Sequence, residues 1–268
     1  MSAVSAGLST LDRLDRIARQ DTAVHRVDPR AKVVTTFVFI VCVVSFGSYD
    51  VVQLLPFVIF PVVLAGVGGV PLGFLARILL VVSPFALLIG VFNPFLDTEV
   101  VARIGGLEIS GGWVSYASIV LRFLLTAGAA LVLTATTSFI GICLALEKLG
   151  LPDVLVTQFL LLYRYIFVLG DEVQRLAQAR RLRSFGNRGM GWRVYAQMLG
   201  QLLLRSFARA QRVYQAMRCR GFDGRVRIAR RLHFGVRDGL FIAGWSALFI
   251  FFRLVDVPLL LGRLTTGL

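Results

Sequence analysis

Two short runs hold most of the chemistry this chain can offer: Ala179-Arg-Arg-Leu-Arg-Ser-Phe-Gly186 and Ala216-Met-Arg-Cys-Arg-Gly-Phe-Asp-Gly224. A guanidinium is planar and permanently charged, and it grips a carboxylate through paired hydrogen bonds that an ammonium cannot copy. Arginines at the end of a helix also complement the helix dipole, and a basic stretch beside a membrane marks the cytoplasmic face and attracts lipid head groups. Physics alone leaves both readings open, a surface held by a partner and a basic membrane margin.

Catalysis has no visible machinery. There is no G-x-x-x-x-G-K-[ST] phosphate loop, and the only lysines are Lys32 and Lys148. The chain has neither H-E-x-x-H nor G-x-S-x-G, and no His, Cys or carboxylate cluster at metal spacing. His25 stands alone and reads as a surface or capping group. Cys42, Cys143 and Cys219 are scattered; the first two read as small core hydrophobes. Asp171 and Glu172 form the one close carboxylate pair, but neighbours on a helix point about 100° apart, which disfavours a lipid-phosphate enzyme. Nucleic-acid binding would need aromatic platforms among the cations, and only scattered aromatics such as Trp192 and Tyr195 occur there.

Each arginine run closes a helical pattern. Leu199, Leu203, Ala210, Val213 and Met217 recur every three or four residues, which predicts an amphipathic helix ending at Arg220. Arg205, Arg209 and Arg212 lie off that stripe, where water can reach them. Leu169, Val173 and Leu176 repeat the arrangement ahead of Arg183, and Gly186 and Gly221 are the expected helix stops.

The rest of the chain is apolar. Of 268 residues 57% are hydrophobic and the mean hydropathy is +0.77, far above soluble usage, so this is an integral membrane protein. The formal net charge of +14 does not conflict, because the excess sits between Gln174 and Arg237. One charged side chain at mid-bilayer costs about 2.5 to 3.5 kcal/mol, so that stretch is aqueous. Apolar segments are expected at Val33 to Phe46, Val51 to Val67, Phe74 to Phe92, Val114 to Thr134, Val154 to Leu169 and Leu240 to Leu254. Pro84 and Pro94 should kink or stop the third. Asp97 to Gly112 reads as a loop. Arg122 and Arg164, inside apolar segments, are either functional or paired across a helix interface.

Ahead of these, Leu11 to Ile17 predicts a short interfacial helix. In Val24-His-Arg-Val-Asp-Pro-Arg-Ala-Lys32, Asp28 should cap and Pro29 should open the next helix, with Arg30 and Lys32 at the inner surface.

Val24 to Lys32, Thr134-Ala-Thr-Thr-Ser138, Leu144-Ala-Leu-Glu-Lys-Leu-Gly-Leu-Pro152, Tyr163-Arg-Tyr165 and the two arginine runs, in that order, resemble the transmembrane coupling (T) component of energy-coupling factor ABC importers. The N-terminal arm is most similar to the cobalt-type branch, CbiQ. The resemblance implies an all-α polytopic membrane protein of five or six hydrophobic helices with a cytoplasmic helical coupling domain. Its expected parts are an arm (residues 1–32), membrane helices (33–169), coupling helices (170–237) and a last membrane helix with a tail (238–268).

It further implies a non-enzymatic subunit of a bacterial cytoplasmic membrane importer, for Co²⁺ or alternatively Ni²⁺ or a vitamin. Two ATP-binding cassette ATPases would carry ATP and Mg²⁺, a small membrane subunit would capture substrate, and this chain would hold no cofactor. The family's arginine-centred coupling motifs fall on Leu182-Arg183-Ser184 and Cys219-Arg220-Gly221. Both lack alanine at the first place, and the first has serine for glycine. Arg180, Arg181, Arg218 and Ala216 are the supporting positions.

Overall fold

The protein is seen here as a computed structural model. The structure describes residues 2–47, 49–93, 100–104, 107–183, 191–226 and 233–255. Among the described residues the chain is helical apart from one short hairpin, and three of the helices are long and apolar enough to cross a membrane. It divides into two compact units, one of residues 15–142 and 232–268, the other of residues 1–14 and 143–231.

The first helix, α1, runs Ser2–Ile17, longer than the apolar pattern alone predicts. Helix α2 (Pro29–Val44) begins as expected: Asp28 accepts from the Arg30 N–H at 2.8 Å, and Pro29 takes the first position, where its missing N–H costs nothing. Val51 to Val67 is not one helix. It is α3 (Val51–Leu54), a 3₁₀ turn (Leu55–Val58) at Pro56, and α4 (Ile59–Val67).

Helix α5 (Leu72–Gly90) continues through Pro84, so this proline does not stop it. Pro84 leaves the Leu80 carbonyl without its usual donor, and the Ser83 hydroxyl takes that place at 2.9 Å. Pro94 lies outside the described residues.

The expected loop after α5 contains an antiparallel hairpin, β1 (Val100–Ile104) and β2 (Leu107–Ser110), with Ala102 opposite Ile109 and Ile104 opposite Leu107. Its β-branched residues and the sequence Gly105-Gly106 between them are hairpin signals that the charge content masked.

Helix α6 (Gly111–Thr136) is the spine of the larger unit, packing on α2, α3, α4 and α5. It buries Leu125 and Val132 together with Ser118, Gly128, Ala129 and Ala135, the last four being small residues that let backbones approach closely. At Gly90 of α5 a Cβ would come within 2.7 Å of the Tyr116 ring, so only glycine permits that approach. Arg122, on α6, donates to the Gly47 carbonyl past the end of α2, the cross-helix partnership foreseen as one of its two readings.

The core of this unit is aromatic. Phe39 of α2 stacks on Phe60 at 4.7 Å, and Phe249 meets Phe39 edge-on at 5.3 Å and Phe60 at 5.1 Å. Phe249 belongs to the last helix, α10 (Val236–Leu254), which packs along α2. Arg253 donates to the Ser45 carbonyl at 3.2 Å and lies 4.4 Å from the centroid of the Phe46 ring.

Polar links join the same helices at their other ends. Asp238, near the start of α10, accepts from the Gly235 N–H and the Asp28 N–H, both at 2.8 Å. Lys32 corrects an expectation. It is 3% exposed rather than at the surface, and its ammonium donates to the Thr136 carbonyl at 2.8 Å, tying α2 to the end of α6. A buried carbonyl at a helix end needs such a donor.

His25 is half-buried, with Thr22 Oγ1 2.7 Å from its Nδ1. Burial, followed by the Lys32 ammonium, holds its pKa below the ordinary 6.5, while the carbonyls of Ile17 and Ala135 and the Asp21 carboxylate pull more weakly upward. The unfolded chain therefore binds more protons in the window from about 6.5 down to the lowered folded value, and stability is lost as pH falls through it. Thermal melts in detergent from pH 8 to 5 should show this fall, and His25→Gln should flatten it. Asp21, whose carboxyl is held low by Arg26, titrates in a separate and more acid range.

Candidate functional site: two arginine-tipped helices

The smaller unit contains both arginine runs. Helix α7 (Phe139–Lys148) leads into it, capped by Ser138, whose hydroxyl accepts from the Gly141 N–H at 3.2 Å. Helix α8 (Asp153–Arg183) follows, and α9 (Trp192–Cys219) comes back along it. The helix α8 is continuous through residues 169 and 170, so its apolar first half and its basic last turn are one rigid rod.

At its start α8 buries Val156 and Thr157. At its end Arg180, Arg181, Leu182 and Arg183 are exposed, Leu182 by 78%. Ser184 and Gly186 lie outside the described residues. Arg164 is exposed on the flank of the rod, and Tyr163 packs against Phe167 one turn on, with ring centroids 5.3 Å apart.

The second tip is built by a capping motif. Gly221 has φ +77°, a left-handed conformation that a Cβ disfavours. This turn lets the Phe222 N–H reach the Met217 carbonyl and the Gly221 N–H reach the Arg218 carbonyl, both at 3.0 Å. The pattern satisfies the last carbonyls of α9 and brings Phe222 back over Met217. Gly221 thus ends the helix as the sequence predicts, and Ala216, Arg218, Cys219 and Arg220 project around its exposed last turn.

No residue of α9 is buried. Its half-buried positions are Val194, Met198, Leu202, Ser206, Arg209, Val213 and Met217, spaced three and four apart. Of the stripe expected from sequence, Val213 and Met217 lie on this line, whereas Leu199, Leu203 and Ala210 are exposed. Arg209 also departs from expectation, because it is turned to α8 rather than left to water. Between the helices lies a mainly apolar cleft of about 530 Å³, lined by Leu161, Tyr165 and Leu169 of α8 and Phe207, Val213 and Tyr214 of α9, among others.

Two polar connections hold α9 and its return segment to α8. Glu172 accepts from Arg205 at 3.0 Å on one oxygen and from Arg209 at 3.4 Å on the other. Further on, Arg225 pairs with Asp153 at 2.8 Å, Thr157 Oγ1 donates to the Gly224 carbonyl at 3.1 Å, and the Val226 N–H lies 3.3 Å from the same hydroxyl. Rising numbers on α8 meet falling numbers on α9, so the helices are antiparallel. The return after α9 reaches the start of α8, while Arg183 stands at the far end of that 31-residue rod, about 45 Å away at 1.5 Å per residue.

Sequence reasoning missed Glu172 as a partner, as well as Asp153 and Thr157. The available signal was Arg205 and Arg209 at i and i+4, one face offering two cations to one carboxylate.

The family model CbiQ, described as cobalt transport protein, matches residues 20–230. The energy-coupling factor transporter transmembrane protein EcfT of Bacillus selenitireducens is 29% identical over 246 residues, covering 83% of this chain and 89% of its own length. Its namesake in Streptococcus thermophilus is 28% identical over 250 residues, covering 85% and 92%. Nickel permease LarQ of Lactiplantibacillus plantarum is 33% identical over 124 residues, covering 44% of each chain. An α-helical membrane protein with these motifs in this order, matched over most of its length, belongs to the CbiQ family of cobalt transport proteins.

Proposed function

We propose that this chain is the transmembrane coupling subunit of an energy-coupling factor importer of the bacterial cytoplasmic membrane, serving Co²⁺ uptake. The observation that carries this reading is the pair of exposed arginine tips at opposite ends of one antiparallel helix pair. Each tip ends a rod stiff enough to transmit force. Measured along the two helices from their contact at Glu172, the tips lie about 33 Å apart, eleven residues each way at 1.5 Å per residue, which suits two partner subunits gripped one at each end rather than a single small ligand. Leu182, Arg183 and Ser184 form one grip and Cys219, Arg220 and Gly221 the other, with Arg180, Arg181, Arg218 and Ala216 alongside.

In this reading two ATPase subunits bind and hydrolyse ATP, and their closure pulls on the two tips. The continuous rod of α8 carries that motion into its own apolar half and on to a separate substrate-capture subunit. This chain moves no proton and forms no covalent bond. Ni²⁺ is the second candidate substrate, favoured by the similarity to a protein named as a nickel permease.

The test is uptake by cells or vesicles holding this chain alone or with its ATPase pair and capture subunit. Expected are no transport alone, ATP-driven transport in the full set, and faster uptake of Co²⁺ than of Ni²⁺. Transport by the isolated chain without ATP would remove the proposal.

A further inference from the structure

Glu172 sits at a particular place between the two tips. Arg183 lies eleven positions after Glu172 on α8, and Arg220 lies eleven positions after Arg209, the partner of Glu172, on α9. Eleven residues are about three helical turns or 16 Å, so the carboxylate stands at an equal distance along each helix from the tip it serves. Its side chain is 17% exposed and each of its oxygens is taken by a different arginine. A carboxylate shared by two guanidiniums one turn apart resists both sliding and rotation of one helix on the other, since either motion breaks at least one of the two bonds.

The remaining contact along α9 is shallow. The helix buries no residue, and its stripe toward α8 is only half covered. The second polar connection, through Asp153 and Thr157, fastens the return segment beyond Gly221 and leaves the angle between the two rods unset. That angle determines where each tip points.

We propose that Glu172 is a positioning residue: the Glu172, Arg205 and Arg209 clasp is the pivot of the α8 and α9 pair, and it makes displacement of one tip move the other. The inference rests on the coupling reading above and adds the internal part through which the tips act together. Without the clasp each tip would still bind its partner, but the pull would be spent in opening the pair.

The experiment uses the complete importer, with spin-labelled noncanonical amino acids at exposed positions 179 and 215, so that Cys219 of the second grip stays in place. Glu172→Gln keeps the size of the side chain and removes the charge. It should leave ATPase co-purification and ATP hydrolysis intact, broaden the distance distribution between the labels, and lower substrate moved per ATP by about tenfold. Arg205→Glu with Arg209→Glu should do the same, and adding Glu172→Arg to that pair should restore narrow distances and uptake. Unchanged uptake or an unchanged distance distribution in Glu172→Gln would overturn the pivot, as would failure of the reversed-charge triple variant to regain uptake. Loss of ATPase binding in the tip variants is a separate result that bears on the coupling reading alone.

Discussion

Replacing Arg183 and Arg220 together by alanine should abolish co-purification of this chain with its ATPase subunits and reduce ATP-driven uptake to background. Truncating one side of a desolvated charge pair costs about 2 to 5 kcal/mol, so losing both grips removes more than most transient interfaces can spare. The chain itself should fold normally, because both side chains are exposed on the last turns of their helices and support no core contact. Thermal stability in detergent checks that point. Lysine at both positions should restore only part of the binding, since an ammonium keeps the charge but not the paired geometry. Single alanine variants at Arg180, Arg181 and Arg218 rank the neighbours, and a larger loss at any of them than at Arg183 or Arg220 would move the centre of that grip. Undiminished ATPase binding in the double variant would end the coupling assignment.

Phe249→Ala should destabilise the larger unit by about 3 kcal/mol, near the lower end of the range for Phe→Ala in packed cores. The ring is 1% exposed and touches Phe39, Phe57 and Phe60 across three segments. In a bilayer the alternative environment of that ring is also apolar, so the loss comes from the cavity and the missing ring contacts rather than from transfer out of water. Phe249→Leu, which refills most of the space, should cost less than half as much. Denaturant titration in detergent measures both, and equal losses would show that the aromatic cluster has no special packing.

Much of this molecule was legible from residue types. The capping roles of Asp28 and Pro29, the stop at Gly221 and the two arginine-ended helices follow from rules that span four or five residues, and local rules survive in any tertiary setting. What escaped were pairings between distant segments. Lys32 reads as a surface anchor beside Arg30, yet it is buried against Thr136 more than a hundred residues away. Nothing in the sequence around Asp238 points to the bond that it accepts from the Asp28 backbone. Arg209 reads as a solvated cation, yet it faces Glu172.

Periodicity says which side of a helix is apolar but not which helix will cover it, and this is why Leu199 and Leu203 stay exposed while Met198 and Leu202 are half-buried. Hydrophobic content and arginine spacing, taken by themselves, determined that this is a helical membrane protein carrying two cationic helix ends. Only the tertiary structure decided that those helices run antiparallel, that their tips stand at opposite ends, and that one carboxylate clasps them midway. Those facts depend on contacts between residues far apart in the chain, which no local pattern encodes.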